Sequence, residues 1–173
     1  MANSTTVFIG LVDPKSPSNV GSVMRAAGCY QVDQVRYSGG RFERAAQYQT
    51  DTKDILSKIP LVREDQLLQG LPGNMKIVCV ELAEGASPLP QFVHPDQAIY
   101  VFGPEDGSIP QALIDEADHV VYVPTVGCMN LAAAVNVLLY DRLAKSAADI
   151  HGNDLIKGIR DTNNRLKVRK LSR

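Results

Sequence analysis

Asn19 and Arg25 sit six residues apart in SPSNVGSVMRAAG (16–28), a stretch whose other residues are small or apolar. Asparagine can donate and accept hydrogen bonds, and arginine stays charged at any working pH. An arginine here is either a charge that snorkels to water or a residue held where chemistry happens. At ~100° per residue, positions six apart lie on roughly opposite faces of a helix. If both serve one site, Asn19 belongs to the loop–helix junction, which Pro17 and Ser18 fit, and Arg25 to the helix body. They then meet only at a site reached from both, one completed by a second subunit. Two further stretches carry polar groups in glycine-rich settings. FGPEDGSIP (102–110) sets Glu105 and Asp106 between Gly103 and Gly107. VPTVGCMNLAAAVNVLLYDR (123–142) sets Cys128 and Asn130 ahead of an apolar helix.

Each stretch also has a structural reading. FGPEDGSIP is equally a turn with a helix N-cap at Asp106 or Ser108. It is no P-loop, since no Gly-Lys-Ser/Thr follows, and it does not match GxGxxG. Asn130 fits a helix N-cap. The helix after it, with Leu131, Val135, Leu138 and Leu139 among alanines, has to be buried in the core or against another subunit. Asn130 and Asn136 need partners if they are buried.

The elements that position these loops follow from periodicity and punctuation. Strands are expected at Thr6–Val12, Gln34–Gly40, Met75–Leu82, Ala98–Gly103 and His119–Pro124. Helices are expected at Asn19–Cys29, Arg41–Thr50, Glu64–Leu71, Ile109–Ala117 and Asn130–Lys145. Residues 85–96, GASPLPQFVHPD, read as a proline-rich connection. Strands alternate with helices and several are apolar on both faces, so the fold class is α/β with a mostly parallel sheet flanked by helices. Ligands of such sheets bind beyond the carboxyl ends of the strands. The loops DPKSPSNVG, GPEDGSIP and PTVGCMN each follow a strand and converge there.

The 173 residues suit one domain with a real core. No stretch is long and apolar enough to span a bilayer, and the N-terminus lacks signal-peptide features, so a cytoplasmic location and no membrane partner are expected. Cys29, Cys79 and Cys128 are dispersed and odd in number, as are His94, His119 and His151, which argues against disulfides and a metal site. The net charge of −1 hides an asymmetry. Residues 157–173 hold seven Lys/Arg (Lys157, Arg160, Arg165, Lys167, Arg169, Lys170 and Arg173) against Asp161 alone, which leaves −7 on the rest. A basic extension at 148–173 on an acidic body at 1–147 fits a polyanion such as RNA, or is a solvated tail.

Together, NVGSVMR, FGPEDGSIP and VPTVGCMNLAAAVNVLLYD resemble the three ordered motifs of SpoU/TrmH-type RNA methyltransferases of the SPOUT class. The likeness covers Val7 to Leu143. The second glycine of the middle motif comes one residue early, and Cys128 and Met129 stand where serine and leucine are usual. The resemblance implies a C-terminal trefoil knot, an exception to unknotted connections. It implies S-adenosylmethionine held largely by backbone at Leu82, Gly103, Val123, Met129 and Leu131, with no metal. It implies a homodimer that methylates a ribose 2′-hydroxyl of tRNA or rRNA. Arg25 would orient that hydroxyl and a neighbouring phosphate; positioning and charge stabilisation suit a guanidinium of pKa above 12 better than a base's role. Asn19 and Asn130 would fix geometry, and Glu105 would anchor Arg25 or the motif loops. A thiol bonds more weakly than a hydroxyl, so Cys128 opens a rival, a non-catalytic RNA-binding or assembly factor; a base methyltransferase is a third possibility.

Overall fold

The structure is a computed structural model that describes residues 5–46, 59–148 and 150–168. Its strands are β1 (Thr6–Leu11), β2 (Gln34–Tyr37), β3 (Leu61–Arg63), β4 (Lys76–Val80), β5 (Ser87–Pro88), β6 (Gln97–Phe102) and β7 (His119–Tyr122). They form one parallel sheet in the order β3-β2-β1-β6-β4-β7-β5. The helices are α1 (Pro17–Cys29), α2 (Arg41–Ala46), α3 (Gln111–Glu116), α4 (Leu131–Lys145) and α5 (Asn153–Ile159).

The period-2 alternation of strands assigns each face its cover. Val7, Ile9 and Leu11 of β1 and Ala98, Tyr100 and Phe102 of β6 pack in one core with α1 and α4. Ile99, Val101 and Cys79 face the other way, onto Leu67, Met75 and Ile109. Both faces are covered, which is why the strands read as continuous apolar runs.

The five expected strands and four of the five expected helices are present, with shifted ends. The helix expected from Asn19 begins at Pro17, because Ser16 supplies the N-cap and its Oγ accepts the Asn19 N–H at 3.3 Å. Proline fits that first turn, where no N–H is needed. Asn19 therefore lies inside the first helical turn rather than in the loop before it. The expected continuation of α2 to Thr50 lies outside the described residues.

No helix forms at Glu64–Leu71. The segment turns instead, with Gly70 at φ +66° and Leu67 pressed on the sheet over Gly10, where a Cβ would come within 3.0 Å of Leu67 Cδ2. The guanidinium of the buried Arg36 lies 5.0 Å from the Phe8 ring centroid. It donates to the Gln69 carbonyl at 2.7 Å and to Gln34 Oε1 at 2.6 Å. These tertiary contacts outweigh helix propensity, which is weak over so short a stretch.

The proline-rich connection is also more ordered than its composition suggests. It contains β5 and a single 3₁₀ turn at Leu89–Gln91, and α4 grips it. Lys145 Nζ donates to the carbonyls of Leu89 and Phe92 at 2.7 and 3.1 Å. Arg142 donates to those of Pro95 and Asp96 at 2.6 and 3.0 Å. His94 is buried between Tyr100, whose hydroxyl lies 2.7 Å from Nδ1, and Asp141, whose carboxylate lies 2.8 Å from Nε2. Arg142 Nη1 donates to the same hydroxyl at 2.8 Å. Burial pushes that hydroxyl up to about 12, so it remains a donor. A neutral imidazole satisfies the set, with Nε2–H donating to Asp141 and Nδ1 accepting from Tyr100.

Burial holds the His94 imidazole below its ordinary value, against the opposing pull of Asp141 and with support from Arg142 and Lys145. An unfolded histidine takes up a proton near pH ~6.5, while the folded one resists until lower pH. Stability is therefore fully present above that value and falls as pH drops below it. Urea midpoints measured from pH 7.5 to 5 should fall more steeply for the native chain than for His94→Gln; equal slopes would refute this latch.

Candidate functional site

The carboxyl ends of β4, β6 and β7, the loops that follow them and the start of α4 line a cavity of about 200 Å³. Val80, Phe102, Tyr122, Leu131 and Ala134 make its apolar wall, and Glu81, Glu105 and Thr125 add polar groups. Leu82, Gly103, Val123, Met129 and Leu131, the five residues expected at a cofactor site, all line this one cavity. Gly103 is required where the chain folds back on itself. A Cβ there would lie 3.0 Å from the Ile109 nitrogen and 3.2 Å from the Ser108 carbonyl carbon. Glu81 closes the base, accepting the Ile109 and Leu82 N–H groups at 2.9 Å each. Thr125–Met129 donates no hydrogen bond to other backbone among the described residues, so main-chain donors remain available along that wall.

Beside the cavity, the polar residues of the three motifs join in one hydrogen-bonded chain. Glu105 Oε1 accepts from Asn19 Nδ2 at 3.0 Å and from the Ser16 N–H at 3.0 Å. Its other oxygen accepts the Lys15 N–H at 2.8 Å. Asn19 Oδ1 in turn accepts from Asn130 Nδ2 at 3.0 Å. Asn130 Oδ1 caps α4, accepting the N–H groups of Ala132 and Ala133 at 2.9 and 3.3 Å. Both amides are fully specified, since each must donate on one side and accept on the other. Partial burial pushes the Glu105 carboxyl up, but the Asn19 amide and the backbone N–H groups of Lys15, Glu105 and Ser16 outweigh it and hold the group below the usual carboxylate range.

Arg25 is not part of this chain. It is exposed on α1, roughly 9 Å along the axis from Asn19 at ~1.5 Å per residue. Glu105 thus anchors the motif loops and not Arg25. Asn136 is exposed and donates to the Ala132 carbonyl one turn back at 2.9 Å. Val137 and Tyr140 are also exposed, so one face of α4 has no cover within the described residues. Cys128 lines the cavity and is exposed, Cys29 is exposed, and Cys79 is buried. Among the described residues no group of three or more His, Cys, Asp or Glu could hold a metal ion. Nor is any helix among them long and apolar enough to cross a membrane.

A second polar cluster adjoins the first and was not anticipated from sequence. Arg41, the first residue of α2, donates from Nη1 to both Asp106 oxygens at 2.8 and 3.0 Å. It also donates from Nη2 to the Asp13 carbonyl at 2.6 Å, and its Nε lies 2.9 Å from Asp13 Oδ2. The only sequence signal was its position: a basic residue directly after the glycines that end β2, on the same side of the sheet as the motif loops.

A model of the SpoU rRNA Methylase family matches residues 6–140. No curated protein matches the chain. Among solved structures, the SpoU methyltransferase AviRb from Streptomyces viridochromogenes, in complex with the cofactor AdoMet, is 19% identical with a TM-score of 0.65, over 83% of this chain and 59% of that one. An AdoMet-bound rRNA methyltransferase from Sinorhizobium meliloti is 20% identical with a TM-score of 0.67, over 82% and 57%. A protein studied for 2-OH methylation of C/U34 on tRNA is 20% identical with a TM-score of 0.65, over 83% and 92%. At these identities the likeness is one of fold, and the chain spans less than two thirds of the first two relatives.

The Glu105–Asn19–Asn130 chain makes a specific demand on residue 19. Asn19→Ala removes one donor and one acceptor and should cost about 1–3 kcal/mol in urea denaturation. Asn19→Asp, of the same shape, sets a second carboxylate against Glu105. It should be the less stable variant at pH 7, and the gap should close towards pH 4 as one carboxyl takes a proton and donates to the other. An Asp variant as stable as the native chain at pH 7 would refute the arrangement.

Proposed function

The chain belongs to the SpoU rRNA Methylase family, and we propose from that premise that it transfers a methyl group from S-adenosylmethionine to a ribose 2′-hydroxyl of tRNA or rRNA. The observation that carries the reading is the Glu105–Asn19–Asn130 chain, which joins all three motif loops at the edge of a single cavity. Solved relatives bound to AdoMet, and one studied for 2-OH methylation on tRNA, support it.

The cavity fits the cofactor in kind. Its apolar wall suits an adenine ring, and the free main-chain donors of Thr125–Met129 suit the polar remainder. Leu82, Gly103, Val123, Met129 and Leu131 would hold it. Bound there, S-adenosylmethionine supplies an electrophilic methyl, so the acceptor oxygen has to be aligned and to lose its proton. Glu105, Asn19 and Asn130 hold the loops that set the alignment. Arg25 carries a permanent charge and has no carboxylate partner among the described residues. It is suited to orient the hydroxyl and an adjacent phosphate and to stabilise charge on the oxygen; the proton passes to a phosphate oxygen or water.

Because Arg25 stands apart from the chain of amides, the reading includes a homodimer. The uncovered face of α4, with Val137 and Tyr140, is the contact surface, and each copy supplies Arg25 to the other's cavity. It also includes a trefoil knot among the loops after β6 and β7, tested by mechanical stretching, in which a tightened knot shortens the fully extended chain. Residues 148–173 form an RNA-contacting arm; α5 lies in it, and Lys157, Arg160, Arg165 and Lys167 are outside the folded sheet. A cytoplasmic location accords with an RNA substrate. The exposed Cys128 on the cavity wall favours one alternative, an RNA-binding factor without activity; absence of AdoMet binding in calorimetry would support it. A methylated base among the products would support base methylation.

Incubation with labelled S-adenosylmethionine and total RNA, followed by digestion to nucleosides, should yield a 2′-O-methylated product; none from tRNA or rRNA would refute the reading. Arg25→Ala should lower turnover at least about 10²-fold with cofactor affinity and dimer mass unchanged, and full activity would remove Arg25 from the site. Deleting residues 157–173 should weaken RNA binding and flatten its dependence on log salt by about 0.7–0.9 for each phosphate the segment neutralises. An unchanged slope would return the segment to a solvated tail.

A further inference from the structure

We infer that Arg41, which lies outside all three motif loops, is a positioning residue for the transfer, acting through Asp106 on Glu105. The inference rests on the reading of the site given above.

Glu105 and Asp106 are neighbours on the loop after β6, and their carboxylates reach in different directions. Glu105 takes the Asn19 amide and the N–H groups of Lys15 and Ser16. Asp106 takes the forked Arg41 guanidinium. Lys15 touches both, through its N–H on Glu105 and through Nζ, 3.5 Å from Asp106. The Lys15 side chain is 64% exposed, against 26% for Arg41, so Arg41 is the better-fixed partner. Its hydrogen bond is the main cause that holds the Asp106 carboxyl below its usual range.

The other edge of the guanidinium is fixed just as firmly. Nη2 and Nε donate to the Asp13 carbonyl at 2.6 and 3.1 Å, and Nε also pairs with the Asp13 carboxylate at 2.9 Å. Asp13 has φ +39°, and Gly39, at φ +78°, packs so close that a Cβ there would clash with the Asp13 carboxylate. The Asp13 side chain is thus packed against the Gly39 backbone. One planar group therefore spans the ends of β1, β2 and β6. It sets the height of Asp106 against Asp13, and the height of Asp106 sets that of Glu105, one residue away. A lysine keeps the charge but offers a single ammonium, which cannot bridge both carboxylates with the same fork. Misplacing a reacting group by about 1 Å costs on the order of 10²-fold in rate, so a residue without substrate contact can govern turnover.

The test compares Arg41→Met, Arg41→Lys and the exposed control Arg44→Met in the full-length protein. Arg41→Met should lower kcat by about 10- to 100-fold, with the KM for RNA and the Kd for S-adenosylmethionine within about twofold. Arg41→Lys should recover part of the loss, and Arg44→Met should match the native chain. Asp106→Asn added to Arg41→Met should cost nothing further, since both act through one pair. A raised KM at unchanged kcat would make Arg41 an RNA contact and overturn the inference. A second readout needs no activity: the side-chain amide resonances of Asn19 and Asn130 in nitrogen-15 NMR should shift in Arg41→Met and stay in place in Arg44→Met. If the native chain transfers no methyl group, the proposed function fails and these resonances alone decide the coupling; unmoved amides refute it.

Discussion

The Glu105 carboxylate is the interaction on which the site depends. It gathers three donors from the loop and first turn after β1, including the Asn19 amide that passes the connection on to Asn130. Asn130 is at once a link in this chain and the N-cap of α4. A single line of hydrogen bonds therefore runs from the loop after β6, through the start of α1, to the start of α4. Charge-assisted bonds to a carboxylate are stronger than neutral ones, which suits Glu105 to be the end that fixes the rest.

This arrangement is possible because every strand of the sheet runs the same way. Parallel strands send their following loops to one edge, where β1, β6 and β7 deliver three segments that are far apart in sequence. α4 carries the consequences away from that edge. Its first residues take the Asn130 cap, and its last turns hold the His94 cluster and the connection before β6. The same helix thus braces the sheet at one end and frames the cavity at the other. Arg41 adds a clamp from the neighbouring loop, so the edge is held by two polar clusters that share Lys15.

Much of this was legible in the residues themselves. Several strands carry apolar runs, α4 begins at a recognisable Asn130 cap, and the three loops stand out by their glycines and polar residues. Leu82, Gly103, Val123, Met129 and Leu131, which the family resemblance implies, line one cavity. What misled was local pattern without its tertiary context. Glu64–Leu71 has a helix-like composition, yet Arg36 and Gly10 hold it in turns. Residues 85–96 look like plain connection, yet α4 side chains about fifty residues away give them order. Pro17 and Ser18 suggest a loop–helix junction at Asn19, whereas Ser16 caps the helix and places Asn19 in its first turn.

The sequence by itself determined the fold class, the alternation of elements and which loops share an edge, because periodicity and turn chemistry are local properties of the chain. The tertiary structure alone decided who touches whom at that edge: that Glu105 serves Asn19 and not Arg25, that Asn130 is a link as well as a cap, and that Arg41 belongs to the neighbourhood. Those pairings join residues from 28 to 111 positions apart. Hydrogen bonds over such separations depend on distances of a few tenths of an ångström between loops, and no local pattern in the chain encodes them.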